Sequence, residues 1–193
     1  MILVRQDQLQ IVDPESPIMR TQLLPFDFSQ HTTDDAERLA KVMANKMVEL
    51  GGIGLSANQV GLPYRMFVMG TDDNYLAVFN PEIVETFGEA DTFKEGCLSY
   101  PGLFMYIKRP PAIRVRYQNT KGELREVDFS GLSARIFQHE YEHMSGRDFT
   151  VGASKLKIKM ALDRYAKKKK QLIRKHAIET LKKAHEDGQK HTS

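Results

Sequence analysis

The chain has 193 residues, 41% of them apolar and 27% charged, enough for one domain with a real core and incompatible with wholesale disorder. Its formal charge of +3 is unevenly spread: residues 155–193 carry 13 Lys+Arg and 4 Asp+Glu, a balance of +9, while residues 1–154 carry 15 and 21, a balance of −6. No apolar run approaches the ~20 residues of a membrane span, the N-terminal stretch has no apolar signal core, and the single cysteine, Cys97, can form no internal disulfide, so a reducing cytoplasm is expected.

In chain order, the first periodic stretch runs from Asp34 to Leu50. Thr32 or Thr33 can cap it, and Gly51-Gly52 stop it. Ala36, Leu39, Ala40, Met43, Met47 and Leu50 fall on one face, the pattern of an amphipathic helix. Short β-type runs follow at Arg65–Met69, Leu76–Phe79, Ile83–Phe87, Ile113–Tyr117 and Glu123–Phe129, punctuated by Gly, Pro and Asn. A second helix starts near Leu132 and ends at Gly146, and a third, basic one covers roughly Lys157 to Glu186. Helix, strands, then helix predicts an α+β fold with mixed or antiparallel sheets packed around the second helix. Residues 1–156 form one body in this reading, and 157–193 a basic helix with a frayed tail.

The second helix carries the sharpest signal, His139-Glu140-Tyr141-Glu142-His143. Two histidines four apart project to the same side of a helix and can bind one metal ion, with Glu140 placed to act as general base on a water there. Zincin peptidases take a third ligand downstream. Here that would be His176, Glu179, His185 or His191, none in a recognisable zincin setting. Cys97, beside Gly96, is the better candidate, because a thiolate suits zinc or ferrous iron. A third segment, residues 52–59 (GIGLSANQ), is rich in small residues and ends in Gln59, an amide that could be aimed at a reacting oxygen.

Taken in order, GIGLSANQ at 52–59, EGCLS at 95–99 and QHEYEH at 138–143 resemble the peptide deformylase family over roughly residues 10–160. That family is marked by a GxGLAAxQ-type loop, an EGCLS segment and a QHExDH helix. The resemblance implies a hydrolase that removes the formyl group from the N-terminal formyl-methionine of new polypeptides and releases formate. Cys97, His139 and His143 would bind one divalent ion, ferrous iron in the cell, replaceable by zinc, nickel or cobalt. Glu140 would take a proton from the metal-bound water and deliver it to the leaving amine. Gln59 and the backbone N–H of Leu98 would hold the oxyanion. The substrate backbone would add as a strand to Ile53-Gly54 and to the stretch around Tyr100, Pro101 and Gly102, and the methionine side chain would enter a pocket with Ile136. By the same resemblance, Glu95 pairs with Arg109.

Three positions depart from the family pattern: Ser56 for alanine, Glu142 for aspartate in the HExxH turn, and Phe104 where a polar or basic residue is common. The implied partners are N-formyl-methionyl nascent chains, met by a monomer with no membrane attachment. The basic C-terminal helix reads either as a solvated helix end or as a contact with ribosomal RNA. Two other functions compete: a zincin-like endopeptidase, and a non-catalytic RNA- or ribosome-binding protein with a metal-stabilised fold.

Overall fold

The computed structural model describes residues 8–71 and 74–149, together with 154, 156, 159–160, 162–167, 170–171 and 174. The first helix, α1 (Thr33–Glu49), is capped by Thr32, whose side chain accepts from the Asp35 amide while the Asp35 carboxylate accepts from the Thr32 amide. Its inward face is Ala36, Leu39, Ala40, Met43, Ala44 and Met47, all buried. Leu50, predicted to extend that face, is instead the C-cap residue and is exposed.

Seven strands follow: β1 (Gly54–Ser56), β2 (Met66–Gly70), β3 (Tyr75–Phe87), β4 (Asp91–Gly96), β5 (Phe104–Arg109), β6 (Ala112–Gln118) and β7 (Leu124–Ser130). Five form an antiparallel sheet in the order β1-β2-β3-β6-β7, and β4 with β5 makes a separate hairpin. Helix α2 (Gly131–Met144) lies against β1, β2 and β7, with Phe137 edge-on to Phe67 at 5.0 Å. The predicted α+β class with antiparallel sheets is what the chain adopts, and α2 packs against the five-stranded one.

Strand boundaries differ from the sequence reading in two ways. The runs Leu76–Phe79 and Ile83–Phe87 are a single strand, because Asn80-Pro81 makes a bulge rather than a turn. Asn80 takes φ 49°, a conformation asparagine tolerates, and its side chain bonds both backbone groups of Phe26 and the Gln118 amide at 2.7–2.8 Å. Strands β1, β4 and β5 were not predicted. In β5 the alternation is present (Met105, Ile107 and Arg109 buried), but Phe104 and Tyr106 on the outer face hide it.

Helix α2 ends at Met144, and Gly146 closes the turn at φ 70° with its N–H on the His143 carbonyl at 3.1 Å. A Cβ there would come within 2.6 Å of the Arg20 carbonyl oxygen, so only glycine fits. A second small core of Tyr100, Leu103, Met105, Ile107 and Phe149 lies beneath the hairpin. The described positions between 156 and 174 are helical, and Tyr165 rests on the Tyr100 ring at 6.3 Å. The remainder of the predicted basic helix and tail lies outside the described residues. No helix among the described residues is long and apolar enough to cross a membrane.

Candidate metal centre

The four-residue spacing on α2 puts the His139 and His143 rings side by side, with centroids 5.2 Å apart. The loop leaving β4 brings Cys97 to them. Donor atoms of Cys97, His139 and His143 all lie within 4.8 Å of one another, and Cys97 Sγ is 3.3 Å from His143 Nε2. His139 Nδ1 is engaged by Glu95 Oε2 at 3.0 Å, so Nε2 is the nitrogen left to bind an ion. One thiol and two imidazoles converging in this way fit a divalent transition ion. The four downstream candidates for a zincin-type ligand lie outside the described residues, and it is the upstream cysteine that joins the histidines.

Charge around the centre is organised by Glu95. Burial alone would raise its pKa, but hydrogen bonds from His139, Arg109 and Arg135 outweigh that and hold it at about 2. Arg109 binds it through Nε at 2.8 Å and Nη2 at 3.0 Å, and also reaches Glu142 at 2.9 Å. Glu142, one methylene longer than the family's aspartate, thus spans from α2 to the hairpin. Burial would lower the pKa of His139, but contact with Cys97 and Glu95 lifts it to about 10. His143 is held down to about 3 by burial and by its neighbour His139, which keeps its ring neutral and able to donate a lone pair.

Glu140, the residue after His139, points toward Gly54 of β1. Burial pushes its pKa up to about 7, and its Oε2 has no hydrogen-bond partner. Gln59 is held by three contacts. Its Oε1 accepts from the Ser56 amide at 2.9 Å, and its Nε2 donates to Ser99 Oγ at 3.1 Å and toward Cys97 Sγ at 3.4 Å. Gln59, Glu95, Cys97, Arg135, His139 and Glu140 open on one cavity of about 730 Å³, which Ile53, Gly54, Leu98, Pro101, Gly102 and Ile136 also line, whereas His143, Arg109 and Glu142 lie behind it.

A family model, polypeptide deformylase, matches residues 8–159. The chain belongs to the peptide deformylase family. Members of that family are amide hydrolases that remove the N-formyl group from N-formyl-methionyl peptides. The peptide deformylase of Thermotoga petrophila is 38% identical over 166 residues, covering 84% of this chain and 90% of the relative. The crystal structure of the Legionella pneumophila peptide deformylase superposes with a TM-score of 0.77 at 30% identity, over 86% of this chain and 98% of that one. A class I type b peptide deformylase of Acinetobacter baumannii, solved with Met-Ala-Ser bound, superposes with a TM-score of 0.69 at 30% identity, over 74% and 96%.

The Tyr100 side chain turns away from the cavity. Its ring packs on Phe149 at 5.7 Å and its hydroxyl donates to Asp148 at 3.3 Å, so it supports the loop from below and does not line the cavity. Burial is also the main cause that raises its pKa to about 12. Three participants escaped the sequence reading. Phe93 and Arg135 line the cavity, and Asn58 donates to the His143 carbonyl at 2.7 Å. For Arg135 a signal existed: it stands four residues before His139 and so shares its helix face.

At Gly54, β1 passes close against α2. A Cβ there would collide with Glu140 Oε1 and sit 3.0 Å from Ile136 Cγ2. Gly54→Ala is expected to displace the Glu140 carboxylate and lower kcat for deformylation about 10- to 100-fold, with the fold retained by circular dichroism. Unchanged kcat would show that the close approach is incidental.

Proposed function

We propose that this deformylase acts as a cytoplasmic monomer on N-formyl-methionyl nascent chains, using one divalent ion held by Cys97, His139 and His143. The observation that carries this reading is the buried Glu140 carboxylate, with its Oε2 unpartnered, opening on the same cavity as Cys97, His139 and Gln59. Ferrous iron is the proposed ion in the cell, with zinc, nickel or cobalt able to replace it. Such an ion supplies Lewis acidity and makes a water acidic enough to lose its proton near pH 7.

The chain's own groups do the rest. The methionine side chain fills the apolar wall formed by Ile136, Leu132 and Phe93. Strand β1 is the outer strand of its sheet among the described residues, so the Ile53-Gly54 backbone is open to an extended peptide on one side, with Pro101-Gly102 across the cavity. The Met-Ala-Ser complex of the Acinetobacter relative supports a peptide of this length at the site. Gln59 Nε2 and the Leu98 N–H receive the formyl oxygen as it becomes an oxyanion, and losing one such donor costs about 3–4 kcal/mol. Glu140 takes a proton from the attacking water and delivers it to the amine nitrogen as the C–N bond breaks, leaving formate and a free N-terminal methionine. Glu95 and Arg109 orient His139 through its Nδ1.

The test is formate release from formyl-Met-Ala by anaerobically prepared, metal-loaded protein. No formate would refute the reading, and cleavage of internal peptide bonds instead would favour a zincin-like peptidase. The basic C-terminal segment is proposed to bring the enzyme to ribosomal RNA, on the strength of its +9 balance. Deleting residues 172–193 is expected to leave hydrolysis of formyl-Met-Ala largely intact and to weaken ribosome co-sedimentation at low salt. Equal co-sedimentation of the truncated chain would remove that role.

A further inference from the structure

The metal donors come from two separate pieces of the fold. Cys97 lies in the loop that joins β4 to β5 in the hairpin, whereas His139 and His143 belong to α2. The three donors converge only if the hairpin and the helix are held in one register, and the apolar core beneath the hairpin is small. The ion pair between Glu95 (β4) and Arg109 (β5) is internal to the hairpin, and Arg109 reaches α2 only through its contact with Glu142 at 2.9 Å, at the far end of β5.

Arg135 crosses the junction. From α2 its Nη1 donates to Glu95 Oε1 at 2.8 Å and to the Ile107 carbonyl at 3.1 Å, and its Nη2 donates to the Asp91 carbonyl at 3.3 Å and to the Asp91 carboxylate. It therefore grips both strands of the hairpin. Its guanidinium also lies over the Phe93 ring at 5.5 Å. One helical turn later, His139 Nδ1 takes the other oxygen of the same Glu95. Two donors on one rigid helix thus hold the two oxygens of one carboxylate, which fixes both the position and the plane of Glu95 relative to α2. A side chain this buried carries a desolvation cost, and replacing such pairs by apolar contacts is often stabilising. That makes geometry, rather than stability, the gain a guanidinium fork offers here.

We propose that Arg135 is a positioning residue, the clasp that registers the Cys97-bearing hairpin on the histidine-bearing helix and so sets the spacing of the three metal donors. The inference rests on the metal reading above, and its measurements do not depend on deformylation. Zinc-loaded Arg135→Met, Arg135→Lys and Asp91→Asn proteins would be compared with wild type by competition against a chromophoric chelator, with circular dichroism and formate kinetics alongside. Arg135→Met is expected to hold zinc about tenfold more weakly with its secondary structure kept, and to lose kcat more than KM. Arg135→Lys is expected not to restore zinc affinity, because an ammonium cannot bridge Glu95, Asp91 and a carbonyl at once.

Asp91→Asn removes the charge of an exposed anchor of the fork without touching Glu95, weakens the charge-assisted bond to Arg135, and is expected to shift zinc affinity in the same direction by a smaller factor. Zinc affinity within twofold of wild type in Arg135→Met overturns the proposal, as does full restoration by lysine. If Arg135→Met fails to fold, unchanged zinc affinity in Asp91→Asn overturns it. Weakened zinc binding in the variants, together with a wild type that releases no formate, would uphold the clasp while refuting the deformylase reading.

Discussion

Replacing Glu140 with glutamine is expected to lower kcat for formate release from formyl-Met-Ala by about 10²–10⁴-fold, the usual contribution of a general acid–base group. The amide matches the carboxylate in shape, so the cavity and the three metal donors should be undisturbed, and zinc content should stay at the wild-type level. A second consequence follows from burial. The carboxyl is held up at about 7 against its ordinary 4.5, so between those values the folded protein keeps a proton that the unfolded chain has lost. Stability from this group is therefore present below pH ~4.5 and lost as the pH rises through about 7, where the fold must carry a buried anion. Glutamine carries no charge at any pH. The metal-free variant is thus expected to melt above the metal-free wild type at pH 8, with the gap closing toward pH 5. A variant as active as wild type would remove Glu140 from the chemistry, and a variant less stable at pH 8 would contradict the electrostatic account.

Replacing Cys97 with alanine is expected to abolish stoichiometric zinc retention and to reduce activity by at least ~10³-fold, the scale of several kcal/mol of transition-state stabilisation. The sulfur sits 3.3 Å from His143 Nε2 and receives the Gln59 amide at 3.4 Å, so its removal takes away one donor of three and loosens a second active group. Cys97 is only partly buried and packs against the edge of the small core under its loop, where alanine keeps the β-carbon and loses only the sulfur, so the substitution should be tolerated by the fold. Metal content measured after gel filtration decides the matter. Full zinc occupancy in Cys97→Ala would exclude the cysteine as a ligand.

The parts of this site that could be read from the chain are those in which spacing along one element sets spacing in space. His139 and His143 share a face because a helix turns every ~3.6 residues, and Glu140 follows from the same geometry. The α1 face and its Thr32–Asp35 cap were legible for the same reason, since every partner lies within four residues. Cys97 was reachable by chemistry, as the one thiol available to two histidines lacking a third ligand. Gln59 was visible as an amide in a stretch of small residues, but its aim was not. That depends on Ser56, Ser99 and Cys97 closing around it.

Other features depended on contacts that leave no local trace. Asn80-Pro81 looks like a turn, and it becomes a bulge because Phe26 and Gln118, 54 and 38 residues away, satisfy the Asn80 side chain. Tyr100 sits in a plausible binding segment, yet Asp148 and Phe149 draw it beneath the loop. Arg135 and Glu95 are 40 residues apart, and neither strand of the intervening hairpin was evident from its residues. By itself the sequence determined which side chains stand ready at the site, a thiol, two imidazoles, a carboxylate and an amide, carried on short motifs. The tertiary structure alone decided their distances, because these depend on how a hairpin docks on a helix. Buried charges paired across that junction have to satisfy one another wherever the chain brings them, and no periodicity along the sequence records that requirement.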